Sequence, residues 1–140
     1  MKANELRIGN WVKYRIYDEM DTPKEYDTYS KIDAEDLLYL HQNPDDKDFK
    51  PIRLTAKILK KCKLNKSICT IPYKQVEYYT EDYDWFLTKH GNIWVVGFDY
   101  EDGQGQMYFA HNCLQYLHQL QNFYFSTKGE ELEVTLEVWA

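Results

Sequence analysis

The sequence predicts an α+β fold in which an antiparallel sheet is packed by a long C-terminal helix and a short lysine-rich helix. Three observations lead there. Between Tyr116 and Thr127 the apolar residues recur at helical spacing. From Leu132 onward apolar and polar residues alternate, as in a strand with one wet face. Two apolar runs separated by His90-Gly91 have the form of a hairpin. The expected order is β, β, short α, α, β, a three-strand meander, α, β, which lays the longest helix across one face of the sheet.

The elements follow in order. Gly9-Asn10 is a turn into a first strand, where Val12, Tyr14 and Ile16 alternate with Lys13, Arg15 and Tyr17. A polar loop over residues 18–28, with Pro23, joins it to a second strand over 29–32. Asp33, with Asp36 three positions on, caps a short helix running to Leu40, and the turn-rich residues 42–48 end it. Thr55 caps a helix over 56–63, whose face of Ile58, Leu59 and Cys62 opposes one of Lys57, Lys60 and Lys61.

Residues 68–79 are rich in tyrosine and β-branched side chains, and Pro72 limits them to an edge strand or two short strands. The hairpin arms cover 84–89 and 92–100, and a tight turn over 101–106 leads to a third arm over 107–110. On the C-terminal helix, Tyr116, Leu117, Leu120, Phe123, Tyr124 and Thr127 share an arc of about 120°. Gly129 follows as a left-handed cap, with Lys128 near the negative end of the dipole. In the last strand, Leu132, Val134, Leu136 and Val138 oppose Glu131, Glu133, Thr135 and Glu137, with Trp139 an apolar exception on the polar side.

Three segments carry a family resemblance. Tyr116-Leu-His-Gln-Leu-Gln-Asn-Phe-Tyr-Phe-Ser-Thr-Lys-Gly-Glu-Glu-Leu132 is similar to the "YVHQLQNLYFALTGEEL" ending of small uncharacterised proteins from Bacteroides-group bacteria and their phages and mobile elements. Glu5-Leu-Arg-Ile-Gly-Asn-Trp-Val12 resembles that family's "ELRIGNYV", and Pro51-Ile-Arg-Leu-Thr55 its "PIPLT" before a short helix. Arg53 stands in place of a proline, and Lys63 in place of a glycine that ends the helix. The matches run from one end of the chain to the other, so the resemblance concerns the whole architecture. It implies no activity and no binding residue. The opening is also similar to the start of a small SH3-like barrel, an analogy of fold alone.

At 140 residues a single domain, 1–140, is expected, large enough to bury about two thirds of its unfolded surface without staples. Cys62, Cys69 and Cys113 are an odd set, and residues 1–5 lack the apolar run of a signal peptide, which points to a cytoplasmic protein with free thiols. The longest apolar run, residues 93–98, is too short to cross a membrane. A net charge of −6 disfavours indiscriminate nucleic-acid binding. The charge is uneven, however, because residues 49–76 contain no Asp or Glu while Lys50, Arg53, Lys57, Lys60, Lys61, Lys63, Lys66 and Lys74 lie among them.

Patterns that carry chemistry are sparse. The cysteines and His41, His90, His111 and His118 form no paired ligand motif, so neither a metal nor another cofactor is expected. His111-Asn-Cys113 has no identifiable base or oxyanion donor. Asp99-Tyr-Glu-Asp-Gly103 fails as a calcium loop, since aligning Gly103 with the sixth position puts Phe98 at the first ligand. Gly103-Gln-Gly105 lies between strands, away from the helix end that a phosphate cradle uses. Acid pairs such as Asp82 with Asp84 or Asp99 with Asp102 read as solvated surface, and a small hydrolase built on them is the weakest alternative.

Two surfaces remain. His118, Asn122 and Phe125 lie at i, i+4 and i+7 opposite the apolar arc, so an aromatic ring emerges from a polar face and must meet a covering loop or a partner. Arg53, Lys57, Lys60, Lys61, Lys63 and Lys66 offer contacts for nucleic-acid phosphates, or else form a solvated face. Tyr73, Tyr78, Tyr79 and Tyr83 beside Trp85 read as a sugar or peptide platform, or as cross-strand packing. The expectation is a non-catalytic binding or accessory module that makes protein contacts or self-associates, with a nucleic-acid-associated protein as the alternative.

Overall fold

The computed structural model describes residues 1–18, 24–66, 76–81, 85–99 and 107–136. After a 3-10 turn at Ala3–Glu5, the elements are β1 (Trp11–Asp18), β2 (Lys24–Lys31), α1 (Ala34–Gln42), β3 (Phe49–Pro51), α2 (Ala56–Leu59), β4 (Asn65–Lys66), β5 (Val76–Tyr79), β6 (Phe86–His90), β7 (Ile93–Asp99), β8 (Met107–Leu114) and α3 (Leu117–Lys128). Every pairing of these strands is antiparallel, and the class is α+β. The strands form two sheets where one is expected, ordered β2-β1-β3 and β4-β5-β6-β7-β8. They belong to two compact units, one of Met1–Arg53 with Tyr116–Ala140 and the other of Leu54–Gln115.

In the first unit, Gly9 has φ 93, a conformation that side chains with a Cβ resist, and it sets the turn into β1. The Arg7 N–H donates to Asn10 Oδ1 at 2.7 Å, and the ladder is extended by Gly9 N to Ile32 O and Ile32 N to Asn10 O, each 2.8 Å. β2 begins at Lys24, earlier than the expected residue 29, because the alternating register with β1 continues without a break to Asp18↔Lys24. α1 has the expected cap: Asp33 Oδ1 accepts from Asp36 N at 2.8 Å and Asp36 Oδ2 accepts from Asp33 N at 3.0 Å. Val12, Ile32 and Leu40 form a buried cluster against which Met1, Ala3, Leu6, Leu37 and Phe49 pack.

α3 buries Leu117, Leu120 and Tyr124, as its arc predicts. Gly129, at φ 71, closes it by donating to Phe125 O at 2.9 Å. His118 and Gln121, expected on the wet face, are also buried, at 1% and 2% exposure. Among the described residues, the last segment makes a single bridge at Val134 instead of a continuous strand. The expected alternation survives in its burial: Leu132 is buried and Val134 and Leu136 half-buried, while Glu131, Glu133 and Thr135 are exposed. Period two assigns side chains to faces, and leaves open whether the backbone finds a ladder.

The second unit is a meander. Trp85, Phe86, Leu87, Trp94 and Val96 are each at most 1% exposed, and the Trp94 indole N–H donates to Leu54 O at 3.0 Å. Gly97 pairs with Phe86 across the ladder, and a Cβ at Gly97 would overlap the Phe86 ring. The β6–β7 turn is Gly91-Asn92, one residue later than expected, since His90 and Ile93 are paired and Gly91 supplies φ 60. α2 stops at Leu59 instead of residue 63. Thr55 Oγ1 caps it by accepting from Ile58 N at 3.2 Å, but Lys57 meets Lys60 and Lys61 at i+3 and i+4, and like charges at those spacings disfavour further turns. The chain then tightens through Lys61 N to Ile58 O and Cys62 N to Leu59 O.

Residues 68–75 of the strand expected over 68–79, the 101–106 turn and residues 137–140 lie outside the described residues. So do Tyr73, Tyr83, Asp82, Asp84 and Asp102 of the candidate sites.

Candidate functional site

The helix face of His118, Asn122 and Phe125 is largely occupied by the chain itself. Asn122 Oδ1 accepts from Asn10 Nδ2 at 2.9 Å and from Arg7 Nε at 3.2 Å, and its Nδ2 donates to Glu5 O at 3.0 Å. Gln121 Oε1 accepts from Trp11 N at 2.8 Å, and its Nε2 donates to Gly9 O at 3.1 Å. The guanidinium of Arg7 grips the carboxylate of Glu131, with Nη2 to Oε2 at 3.0 Å, and lies 4.2 Å from the centroid of the Phe125 ring. Residues 5–11 and residues 121–131 thus form one hydrogen-bonded network. Phe125 keeps 41% of its surface exposed; His118 has no face left for a partner.

His118 is stacked on Tyr116, ring centroids 5.8 Å apart and planes 7° from parallel. Neither of its ring nitrogens has a hydrogen-bond partner among the described residues. Burial pushes its pKa below the usual value, opposed by the charge of Glu5 and assisted by the N-terminal amine.

Of the two readings of the tyrosines near Trp85, platform or cross-strand packing, the second holds at the described Tyr78 and Trp85. Tyr78 and Trp85 are buried at 4% and 1%, and Tyr78 packs edge-on against Trp94 at 6.0 Å. Cross-strand packing consumes them. The exposed aromatic cluster lies instead in the first unit, in a cavity of about 420 Å³ lined by Tyr14, Ser30, Glu35, Asp36, Tyr39 and Phe49. β1 and β3 set it up by pairing Tyr14 with Phe49, and α1 adds Tyr39. The ring centroids are 4.8 Å apart for Tyr14–Phe49 and 6.0 Å for Tyr39–Phe49, both tilted by 47°. Tyr14, Leu38 and Tyr39 are 36%, 60% and 43% exposed.

Three hydrogen bonds brace this groove. Tyr39 Oη donates to Asp46 Oδ2 at 2.6 Å, and Asp46 Oδ1 accepts from Asp48 N at 2.8 Å and Phe49 N at 3.0 Å. Burial tends to raise the Asp46 pKa, but these donors outweigh it and hold the carboxyl below its usual range. Asp36 is shifted upward, first by burial and then by the charges of Asp33 and Glu35, against the lowering effect of the Asp33 N–H. Tyr39 is also raised, chiefly by its bond to Asp46. The groove therefore joins exposed aromatic faces to crowded negative charge. Sequence reasoning missed it, although the placement of Tyr14 on the Val12 side of β1 and the acid-rich run of residues 33–48 were signals.

A larger cavity, about 570 Å³, is lined by Ile8, Trp11, Lys31, Gln121, Glu131 and Leu132 among others. Three of its polar side chains are engaged: Glu131 with Arg7, Gln121 with the backbone of Trp11 and Gly9, and Lys31 over the Trp11 ring at 5.2 Å. This makes it the poorer candidate despite its size.

Of the basic residues, Lys57, Lys60, Lys61, Lys63 and Lys66 are exposed in the second unit, and Arg53 is exposed in the first, where it bridges to Tyr116. Lys63 Nζ lies 3.8 Å from Glu81. Among the described residues, Lys57, Lys60 and Lys61 have no carboxylate partner. Cys62 is buried, with its thiol 3.5 Å from Ile58 O and its pKa pushed up to about 12, which removes it as a nucleophile at neutral pH. No cluster of three metal-ligating side chains occurs among the described residues, and no described helix is long and apolar enough to cross a membrane. Comparison with known proteins finds no matching family model, no similar curated protein and no similar solved structure.

Proposed function

We propose that the chain is a binding or accessory module, of phage or mobile-element type, that acts in the cytoplasm through protein contacts. The observation that carries this is the braced aromatic groove of Tyr14, Tyr39 and Phe49, with Leu38 exposed beside it. Aromatic side chains that are rigid, half-exposed and close together supply much of the binding energy of protein interfaces. A random dodecapeptide display selection on the intact chain tests the reading. Enriched peptides should bind at least about tenfold more weakly to Tyr14→Ala and Tyr39→Ala, changes at exposed positions that leave the fold intact. Peptides that bind both variants as well as the original chain would refute it.

A second reading, nucleic-acid association, is favoured by Lys57, Lys60 and Lys61 on and just after α2, which are exposed and have no carboxylate partner among the described residues. It requires retention on DNA or RNA that weakens steeply with salt and is lost when the three become Glu. Retention unchanged by that triple substitution removes it.

A further inference from the structure

The chemistry of the groove narrows what it can hold. Of its six described lining residues none is basic, two are carboxylates, and three are aromatic. Residues 33–48, which run through α1 and the turn after it, contain six carboxylates and one lysine. The basic residues of β1 and β3 project the other way. Tyr14 and Phe49 are cross-strand partners on the α1 side, whereas Lys13 and Lys50 are partners on the opposite face. Glu35 has no partner among the described residues, and it sits at i+3 and i+4 spacing from Leu38 and Tyr39 on the exposed side of α1.

The same unit already holds a cation with these components. Arg7 lies over the face of Phe125 at 4.2 Å while its guanidinium grips the carboxylate of Glu131. An aromatic face attracts a cation through its quadrupole, and an adjacent carboxylate adds directional hydrogen bonds.

On this basis we infer that the groove of Tyr14, Tyr39, Phe49, Glu35 and Asp36 captures an arginine or lysine side chain presented by a basic peptide segment of a partner protein. The inference rests on the protein-contact reading above and names its ligand. The cation lies against the rings of Tyr39 and Phe49 and pairs with Glu35, and the neighbouring peptide residue covers Leu38. Its charge also relieves the crowding of Asp33, Glu35 and Asp36, which adds to burial in raising the Asp36 pKa. A nucleic acid is repelled by the same carboxylates.

The test is fluorescence anisotropy of labelled nonapeptide pools, identical except for a central Arg, Lys, acetyl-lysine, Leu or Glu, titrated with the intact chain. The Arg and Lys pools should bind about tenfold more tightly than the acetyl-lysine and Leu pools, with the difference shrinking in high salt. Glu35→Gln and Tyr39→Leu should abolish the preference, and Tyr39→Phe, which keeps the ring and loses the bond to Asp46, should retain it. Equal binding of the Arg and Leu pools, with loss in Tyr39→Leu, overturns the cation preference and leaves the docking reading standing. Binding of no pool, with display-selected peptides also indifferent to Tyr14 and Tyr39, overturns both. Sedimentation that depends on concentration and is abolished by Glu35→Gln, with no peptide binding, makes a second copy the occupant and overturns the inference.

Discussion

Replacing Gln121 with Leu separates a side chain that staples the N-terminal segment from one that merely fills space. Gln121 is 2% exposed and serves two backbone groups, the N–H of Trp11 and the carbonyl of Gly9. A buried backbone group stripped of its partner costs about 1–3 kcal/mol. Trp11 is buried and bears the full cost, while Gly9 is half-buried and part of its loss is recovered by water. The expected destabilisation is about 2–4 kcal/mol. In urea, at a slope of about 2 kcal/mol/M, the midpoint should fall by about 1–2 M with the slope unchanged. Gln121→Glu adds a sign test. Its carboxylate still accepts from Trp11 but opposes the Gly9 carbonyl, so this variant should recover stability as pH falls and the protonated acid becomes a donor. A Leu variant within about 0.5 kcal/mol of the original chain, or a Glu variant with no such recovery, would refute the staple.

Other substitutions probe the remaining links. His118 has its pKa depressed by burial, so the unfolded chain takes up the proton first; its contribution to stability is complete above pH 6.5 and is lost as pH falls below it. His118→Phe should keep the stack on Tyr116, remove two unpartnered nitrogens, and flatten the acid limb of a pH-dependent urea series; strong destabilisation at pH 8 would mean the nitrogens are bonded. Gly97→Ala should cost about 1–3 kcal/mol by overlap with Phe86, and Phe86→Leu in the same chain should recover part of it in a double-mutant cycle. Asp33→Ala should cost about 1 kcal/mol through the lost cap and, by removing a neighbouring charge, lower the Asp36 pKa in an NMR titration.

Local signals in the sequence were the legible ones. The Asp33–Asp36 capping box, the Thr55 cap, the Gly129 cap and the burial of Leu117, Leu120 and Tyr124 each depend on residues a few positions apart. The burial of His118 and Gln121 was not legible, because the groups that cover that side of α3 come from the N-terminal turn, more than a hundred residues away in the chain. The groove escaped for the same reason. Nothing local shows that Tyr14 faces Phe49 across a ladder, or that Tyr39 packs against the same Phe49 ring. The tyrosines near Trp85 left two readings open, since β-prone aromatic residues signal a sheet without revealing which of its faces is covered.

The most direct measurement is an amide NMR titration of the intact chain with the arginine-centred peptide pool. Shifts should concentrate at Ser30, Glu35, Asp36, Tyr39 and Phe49 and disappear in Tyr39→Leu. Shifts centred on Lys57, Lys60 and Lys61, or spread evenly over both units, would show that the acidic aromatic groove is not where this protein meets its partner.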